Sequence, residues 1–292
     1  MQQFIQSVLV PGLAQGAIFG LIAIAFAVLH ATTGVINFAH GQLVVLMPIV
    51  IIVCAKAGVP LLAAYLIGAI ALILVALITE WLAIRPFVQT GRAVSWILST
   101  LGVSVVLAEV LAIPTNGDAL AFPYGISSQP FTFLGIRATP AELIAIPVLL
   151  ILAAGIIVFY RTTRLGMELR AVGDDVQGAE AIGISRSKAS RIAMIIAAII
   201  AGVTGILVGS SQIITPSLGL SYTFNGFVAA AMGGMSSVAG GVVGGLVVGL
   251  VSQAAAVYVG ALFGNLAVFL LLIAVYAIRP FGVFGARPVR EV

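Results

Sequence analysis

The sequence predicts an all-α fold, a polytopic transmembrane helical bundle of about eight to nine spans with one broken, glycine-rich helix. Three observations carry this. Charged residues make up 8% of the 292-residue chain and hydrophobic residues 62%, whereas a soluble domain holds roughly 25% charged residues. Apolar runs close to the roughly 20 residues that cross a bilayer as a helix recur from end to end. These runs are continuous, without the roughly ten-residue alternating strands of an outer-membrane barrel.

Taken in order, the runs place spans near 8–29, 38–55, 61–84, 94–113, 141–160, 192–214, 238–259 and 264–279. Charge then orients them, because Lys and Arg concentrate in cytoplasmic loops. Arg85 and Arg92 share one loop, Arg161, Arg164, Arg170, Arg186, Lys188 and Arg191 another, and Arg279, Arg287 and Arg290 follow the last span. With these three inside, the loop 114–140 and the uncharged N-terminus fall outside. Eight crossings would carry the basic C-terminus outside as well. The conflict disappears if 224–236, ending in Met232-Gly233-Gly234-Met235-Ser236, crosses as part of a broken helix. Non-helical backbone at membrane depth survives only where protein or a wet cavity satisfies it, so Asn225, Gly233 and Gly234 are candidates for the lining of a pathway.

Gly12, Gly16 and Gly20 recur at every fourth position of the first span, and Gly240, Gly241, Gly244, Gly245 and Gly249 form overlapping pairs of the same spacing. Such stripes let helices approach closely, either within this chain or across a dimer. Cys54 is alone, which excludes an intrachain disulfide and fits packing. The start lacks a basic region and a cleavage site, so the first span is expected to serve as both anchor and signal. No linker or soluble segment appears, and residues 1–292 are expected to form a single transmembrane domain. The net charge of +4 is accounted for by the inside loops and implies no nucleic acid.

The search for chemistry returns absences. No Gly-Lys dipeptide occurs, so there is no phosphate-cradling loop of the Walker type. The two histidines, His30 and His40, come without carboxylate or second-ligand spacing for a metal. Glu80 and Glu142 sit near span ends, where interfacial water is expected to reach them, and Glu109 is the one carboxylate expected deeper, in the outer third of its helix. Ion-coupled carriers use paired or relayed ionisable groups in the membrane. A transporter without these and without an ATPase borrows its energy from a partner.

The segment 160–191 offers a place to dock one. It holds ten of the 22 charged residues. Asp174 is placed to cap a short helix, Asp175 to favour its positive end, and Gly183 to stop it in a left-handed conformation. Ala179 and Gly183 then share one face, a smooth surface suited to a groove on another protein. The alternative is a solvated amphipathic loop, which carries similar charges.

The residues also carry a resemblance. Gly34-Val35-Ile36-Asn37-Phe38-Ala39-His40-Gly41 resembles the signature of the branched-chain amino acid ABC-transporter permeases of bacterial inner membranes. The run from Leu165 through Gly166, Arg170, Ala171, Gly173 and Asp174, followed by Ala179, Gly183 and Ile184, is similar to that family's ATPase-coupling loop. It keeps only the final Ala and the Gly of the wider importer pattern. The stretch 229–240 resembles the family's glycine-rich segment, with Met235 where Ile or Leu is more usual. The resemblance implies a second related permease, two ABC ATPases that use ATP, and a periplasmic substrate-binding protein, with no cofactor bound by this chain. It leaves the substrate open among branched-chain amino acids, other amino acids, urea, short amides and aromatic acids.

Within the signature, Asn37 is placed to cap the start of a span and His40 to satisfy a neighbouring carbonyl, while Ala39 and Gly41 keep the surface small. Asn37, Phe38, His40 and Gly41 therefore serve either a helix break or direct contact with substrate. Two rivals to an ATP-driven importer remain at this level, an ion-coupled carrier using Glu109 and a passive channel.

Overall fold

The computed structural model describes residues 4–90, 95–123, 126, 129, 131–133, 136–279 and 282–285. Helix α1 (Val10–Thr33), opened by a π-helical turn over Ile5–Leu9, is the axis of the bundle. Every residue from 16 to 29 is buried. A helix that is apolar all round belongs inside, and α1 is wrapped by the later helices. It ends at Gly34, whose φ of 72° turns the chain back.

Helix α2 (His40–Lys56) and α3 (Leu61–Thr79) follow. A π-helical turn, Glu80–Ile84, joins α3 to α4 (Arg85–Thr90), and α5 spans Ser95–Ala112. A small antiparallel hairpin, β1 (Phe131–Phe133) with β2 (Ile136–Ala138), decorates the next loop. Helix α6 (Pro140–Thr162) begins with a capping box in which Thr139 and Glu142 satisfy each other's backbone amides, which is how orphan N–H groups at a helix start are met. The polar segment forms two helices, α7 (Arg164–Asp174) and α8 (Val176–Ala181), where the sequence suggested one. Then come α9 (Arg186–Ser211), α10 (Leu218–Gly233), α11 (Val238–Tyr258) and α12 (Phe263–Ile278).

Among the described residues six helical stretches are long and apolar enough to cross a membrane, and α2 and α12 are shorter apolar helices. Contacts at their tips sort the tips into two ends. At one end, the Tyr160 hydroxyl donates to Val28 O, His30 meets Ser236 and Glu80 meets Ser190. Val283 and Phe284 donate to Met232 and Gly233 carbonyls at that same end. At the other, Leu120 pairs with Ile214 and Gln253 donates to Ser7 O. Helices α1, α2, α3, α5, α6, α9, α10, α11 and α12 run between these ends, nine in number. The first and last described segments therefore lie at opposite ends.

The crossing that makes the count odd differs in detail from expectation. Helix α10 runs unbroken from Leu218 to Gly233, so 224–236 is not a separate half-span. Its start was hidden because Leu218-Gly219-Leu220-Ser221-Tyr222-Thr223 mixes polar and apolar residues with no clear period. The break follows at Gly234, where φ is 103°.

The glycine stripes join helices of this chain to each other. A Cβ on Gly245 would strike the Gly20 backbone, and one on Gly249 the Gly16 backbone. Close contact of α1 with α11 thus depends on glycine, as small residues do at membrane helix interfaces. The outward faces of α3 (Leu62, Leu66, Ile70, Leu74, Ile78) and α6 (Leu143, Leu150, Ile151, Val158) are exposed and apolar, as lipid requires.

Candidate translocation and coupling sites

The stretch 35–39 is non-helical or turn, yet Val35 to Ala39 are all buried. Buried backbone must find partners, and here side chains supply them. Thr33 Oγ1 accepts from Val35 N at 3.1 Å, and Asn37 Oδ1 accepts from Ala39 N at 3.0 Å. Asn37 thus closes the turn before α2 and does not cap the helix itself, which has no side-chain cap. The cap is supplied across the bundle, where Thr223 Oγ1 of α10 accepts from Gly41 N at 3.0 Å. A Cβ on Gly41 would strike the Gly219 carbonyl, so only glycine admits this approach.

His40 does not satisfy a carbonyl through Nε2, as its position suggested. The ring is 1% exposed, its Nε2 has no hydrogen-bond partner, and it packs against Phe26 with centroids 5.4 Å apart. Among the described residues no three His, Cys, Asp or Glu side chains gather as a metal cluster would. Asn37, His40 and Gly41 pack at the helix break, while Phe38 is buried beneath the half-buried Trp96, Phe224 and Phe227 of an outer face. Phe38 lies 5.4 Å from Phe227, 6.3 Å from Trp96 and 6.4 Å from Phe224 between ring centroids. Phe224 in turn meets Phe269 at 6.4 Å.

Asn225 borders the same face. Its amide donates to Ser221 O at 2.9 Å and to Asn265 Oδ1 of α12 at 3.2 Å. Gly233 and Gly234 lie elsewhere, at the α10–α11 turn. A Cβ on Gly233 would strike the Gly240 carbonyl, and one on Gly234 the backbone of Gly285. They close a tight corner with the C-terminal segment, away from Asn225. Thr223, Gln42, Gly219 and Asn265, none of them singled out by the sequence, complete this region.

At the end of the bundle where α1 finishes, the same end as Gly233 and Gly234, α7 and α8 form a clasp on the tip. Thr163 caps α7 by accepting from Gly166 N at 3.0 Å, and Gly166 sits where a Cβ would strike Phe159 O. A Cβ on Gly173 would strike Ala31 O at the end of α1. The cap of α8 is Asp175, which accepts from Gln177 N at 3.0 Å, while Asp174 is the last residue of α7. The chain reaches extended backbone one residue later than the sequence suggested. Gly183 adopts the expected left-handed conformation, φ 88°.

Ala179 departs from expectation. It is 3% exposed and packs with Leu169, Val172 and Ala189, with Ile184 and the half-buried Ala171 beside them. Its methyl turns towards its own chain, because α7 lies against α9 and claims the apolar side of α8. What α8 presents outward is Gln177, Glu180 and Ala181, followed at its C-cap by Ile182 at 75% exposure. Arg170 and Asp174 line a neighbouring cleft of about 550 Å³ with Tyr160, Arg161 and Ser236.

Of the carboxylates, Glu80 is 1% exposed and accepts from Ser190 Oγ at 2.8 Å. It is thus shut away from the interfacial water expected to reach it, because the π-helical turn rotates it onto α9. Glu109 is exposed on the outside of α5.

A multi-pass helical bundle with a buried helix break and a polar clasp at one end is the architecture of an integral membrane protein, and the family match makes it a transport subunit. The chain belongs to the family described as branched-chain amino acid transport system, permease component, whose pattern matches residues 8–278. It is 28% identical over 96% of its length to the high-affinity branched-chain amino acid transport system permease protein LivH of Escherichia coli (strain K12), covering 96% of that protein. It is 28% identical to BraD of Pseudomonas aeruginosa, with 97% of each chain covered. A probable branched-chain amino acid transport permease of Methanocaldococcus jannaschii shares 25% over 91% of this chain and 88% of its own.

Proposed function

We propose that this chain is the permease subunit of an ATP-driven importer that carries branched-chain or related aliphatic amino acids across the bacterial inner membrane. Family membership over almost the whole chain is the observation that carries this reading. The names of relatives covered end to end favour branched-chain amino acids over urea, amides or aromatic acids. The reading includes a second related permease, two ABC ATPases and a periplasmic substrate-binding protein. ATP acts on the ATPases, and this chain holds no cofactor. Helix ends carrying Arg161, Arg164, Arg170, Arg186, Lys188 and Arg191 then face the cytoplasm.

The geometry supports a route for the work. Docking on Ile182 and its exposed neighbours moves α8, which is fixed through Ala179 to Ala189 at the base of α9. The same helix carries Ser190 against Glu80 and Met194 against the Asn37 amide, 3.8 Å away. Further along, Gly205 packs on Val44 and Pro48 of α2. One rigid helix thus joins the docking element to the helix break. Glu109, the coupling group of the ion-driven rival, faces out of the bundle with no relay partner beside it among the described residues.

The test is uptake by proteoliposomes holding the full complex. Leucine accumulation that requires internal ATP and persists when the proton gradient is collapsed is expected. Gradient-driven uptake by the isolated chain would replace this reading with the secondary carrier.

A further inference from the structure

The cleft of about 550 Å³ beside the clasp opens between the last turns of α6 and the start of α11, with the end of α1 behind it and α7 over it. Gly173 lets α7 sit this close, since a Cβ there would strike Ala31 O. Helix α6 has 23 residues, a length of about 34 Å against a hydrocarbon layer of about 30 Å. Its last turn, which carries Tyr160 and Arg161, therefore stands at the level of the lipid headgroups. The mouth of the cleft is charged with both signs. Arg161, Arg170 and Asp174 line it and are exposed, and none of the three side chains makes an ion pair or hydrogen bond with another described residue. Its deeper wall is apolar, made by Ala27, Ile157, Val238 and Ala239. One turn further towards the bilayer centre, Ala154 of α6 and Val243 of α11 are exposed, so the apolar wall runs on into the lipid-facing side of the bundle.

We propose that this cleft binds one phosphatidylethanolamine molecule of the cytoplasmic leaflet, held by its headgroup. Two guanidinium groups match the phosphate, to which arginine donates paired hydrogen bonds. Asp174 repels a purely anionic headgroup and matches a primary ammonium instead. The site thus asks for both charges in one ligand, with acyl chains leaving along Ile157 and Ala239. Phosphatidylglycerol brings no cation to Asp174, and a choline headgroup brings a cation with no N–H to donate. Basic pockets between membrane helices at the cytoplasmic surface are general headgroup sites. The inference needs only a membrane-spanning bundle with this end inside, and is independent of what the chain transports. A headgroup shared by Arg161 of α6 and Arg170 of α7 ties the clasp to the bundle tip, so the lipid becomes part of the support on which α8 rests.

The test titrates the assembled complex, delipidated in detergent, with phosphatidylethanolamine, phosphatidylcholine and phosphatidylglycerol of matched acyl chains, and reads bound lipid by native mass spectrometry. The tightest site is expected to prefer the ethanolamine lipid by about tenfold, the scale of one charge-assisted hydrogen bond. Arg161→Gln combined with Arg170→Gln is expected to abolish the preference, and Asp174→Asn to shift it to phosphatidylglycerol. Arg164→Gln removes an exposed charge outside the cleft and is expected to keep it. Ala239→Leu leaves every charge in place and fills the apolar wall, so it is expected to weaken the tight site even if the arginine variants fail to fold. Glycerophosphoethanolamine, the same headgroup without chains, is expected to compete about tenfold more weakly or worse, because it buries no acyl surface. Equal wild-type affinities for the three lipids, a preference kept by the double arginine variant, or full competition by the soluble headgroup overturns the site. Loss of the ATPases from that variant with its lipid preference intact assigns the cleft to the ATPases instead.

Discussion

The Thr223 hydroxyl accepts the Gly41 amide at 3.0 Å, while its own proton is shared between Gly219 O at 3.0 Å and Phe38 O at 3.2 Å. One side chain of α10 thus ties off both strands of a buried helix break. Removing it leaves a buried amide and carbonyl unpaired, which costs about 1–3 kcal/mol.

Thr223→Val is therefore expected to lower the thermal unfolding midpoint of the purified protein, and Thr223→Ser to restore most of it. Gly41→Ala should be worse than either, since its methyl meets the Gly219 carbonyl with no side chain free to move aside. Equal midpoints for Thr223→Val and wild type would show that the hydroxyl is not what holds the break.

The coupling clasp separates docking from folding. Ala179→Trp overpacks a contact that is 3% exposed, a change that costs about 1–3 kcal/mol, so less inserted protein is expected. Ile182→Ser leaves the packing untouched and is expected to keep normal amounts while weakening ATPase co-purification. Gly183→Leu meets open space but requires a left-handed backbone at φ 88°, a strain of about 1–3 kcal/mol. Quantitative blotting of membranes beside pull-down of the ATPases tells amount from docking. Normal retention by Ile182→Ser would move the docking surface off α8.

Glu80 and Ser190 pin α3 to α9 by a bond of 2.8 Å. Ser190→Ala strips a buried carboxylate of its donor, a loss of about 1.5–3 kcal/mol for a bond to a charged group. Glu80→Gln keeps an acceptor and sheds the charge, so its unfolding midpoint should fall less. A larger fall for Glu80→Gln than for Ser190→Ala would mean that the charge itself is needed.

Nine traversals among the described residues place Phe4 and Gly285 at opposite ends of the bundle. A reporter active only in the cytoplasm is expected to work at the C-terminus and fail at the N-terminus. Both ends reporting from one side would show that α10 does not cross.

Run length and composition were enough to reveal the spans, because a helix in lipid must be apolar for about 20 residues whatever its neighbours are. The left-handed Gly183 was also legible, since only local backbone conformation is at stake. So was the presence of close helix contacts at the two glycine stripes, although not that the stripes of α1 and α11 meet each other. Direction was not legible. Apolar helices show little difference between faces, so nothing local told Glu80 to turn away from water, and Ala179 turns inward only because Leu169, Val172 and Ala189 of the neighbouring helices pack on it. The cap on Gly41 comes from Thr223, 182 positions away, and the partner of Asn225 from Asn265 on another helix. Such pairings exist only once packing has set the rotation of each helix, which is why tertiary structure alone decided which polar residues close the break and which line a face.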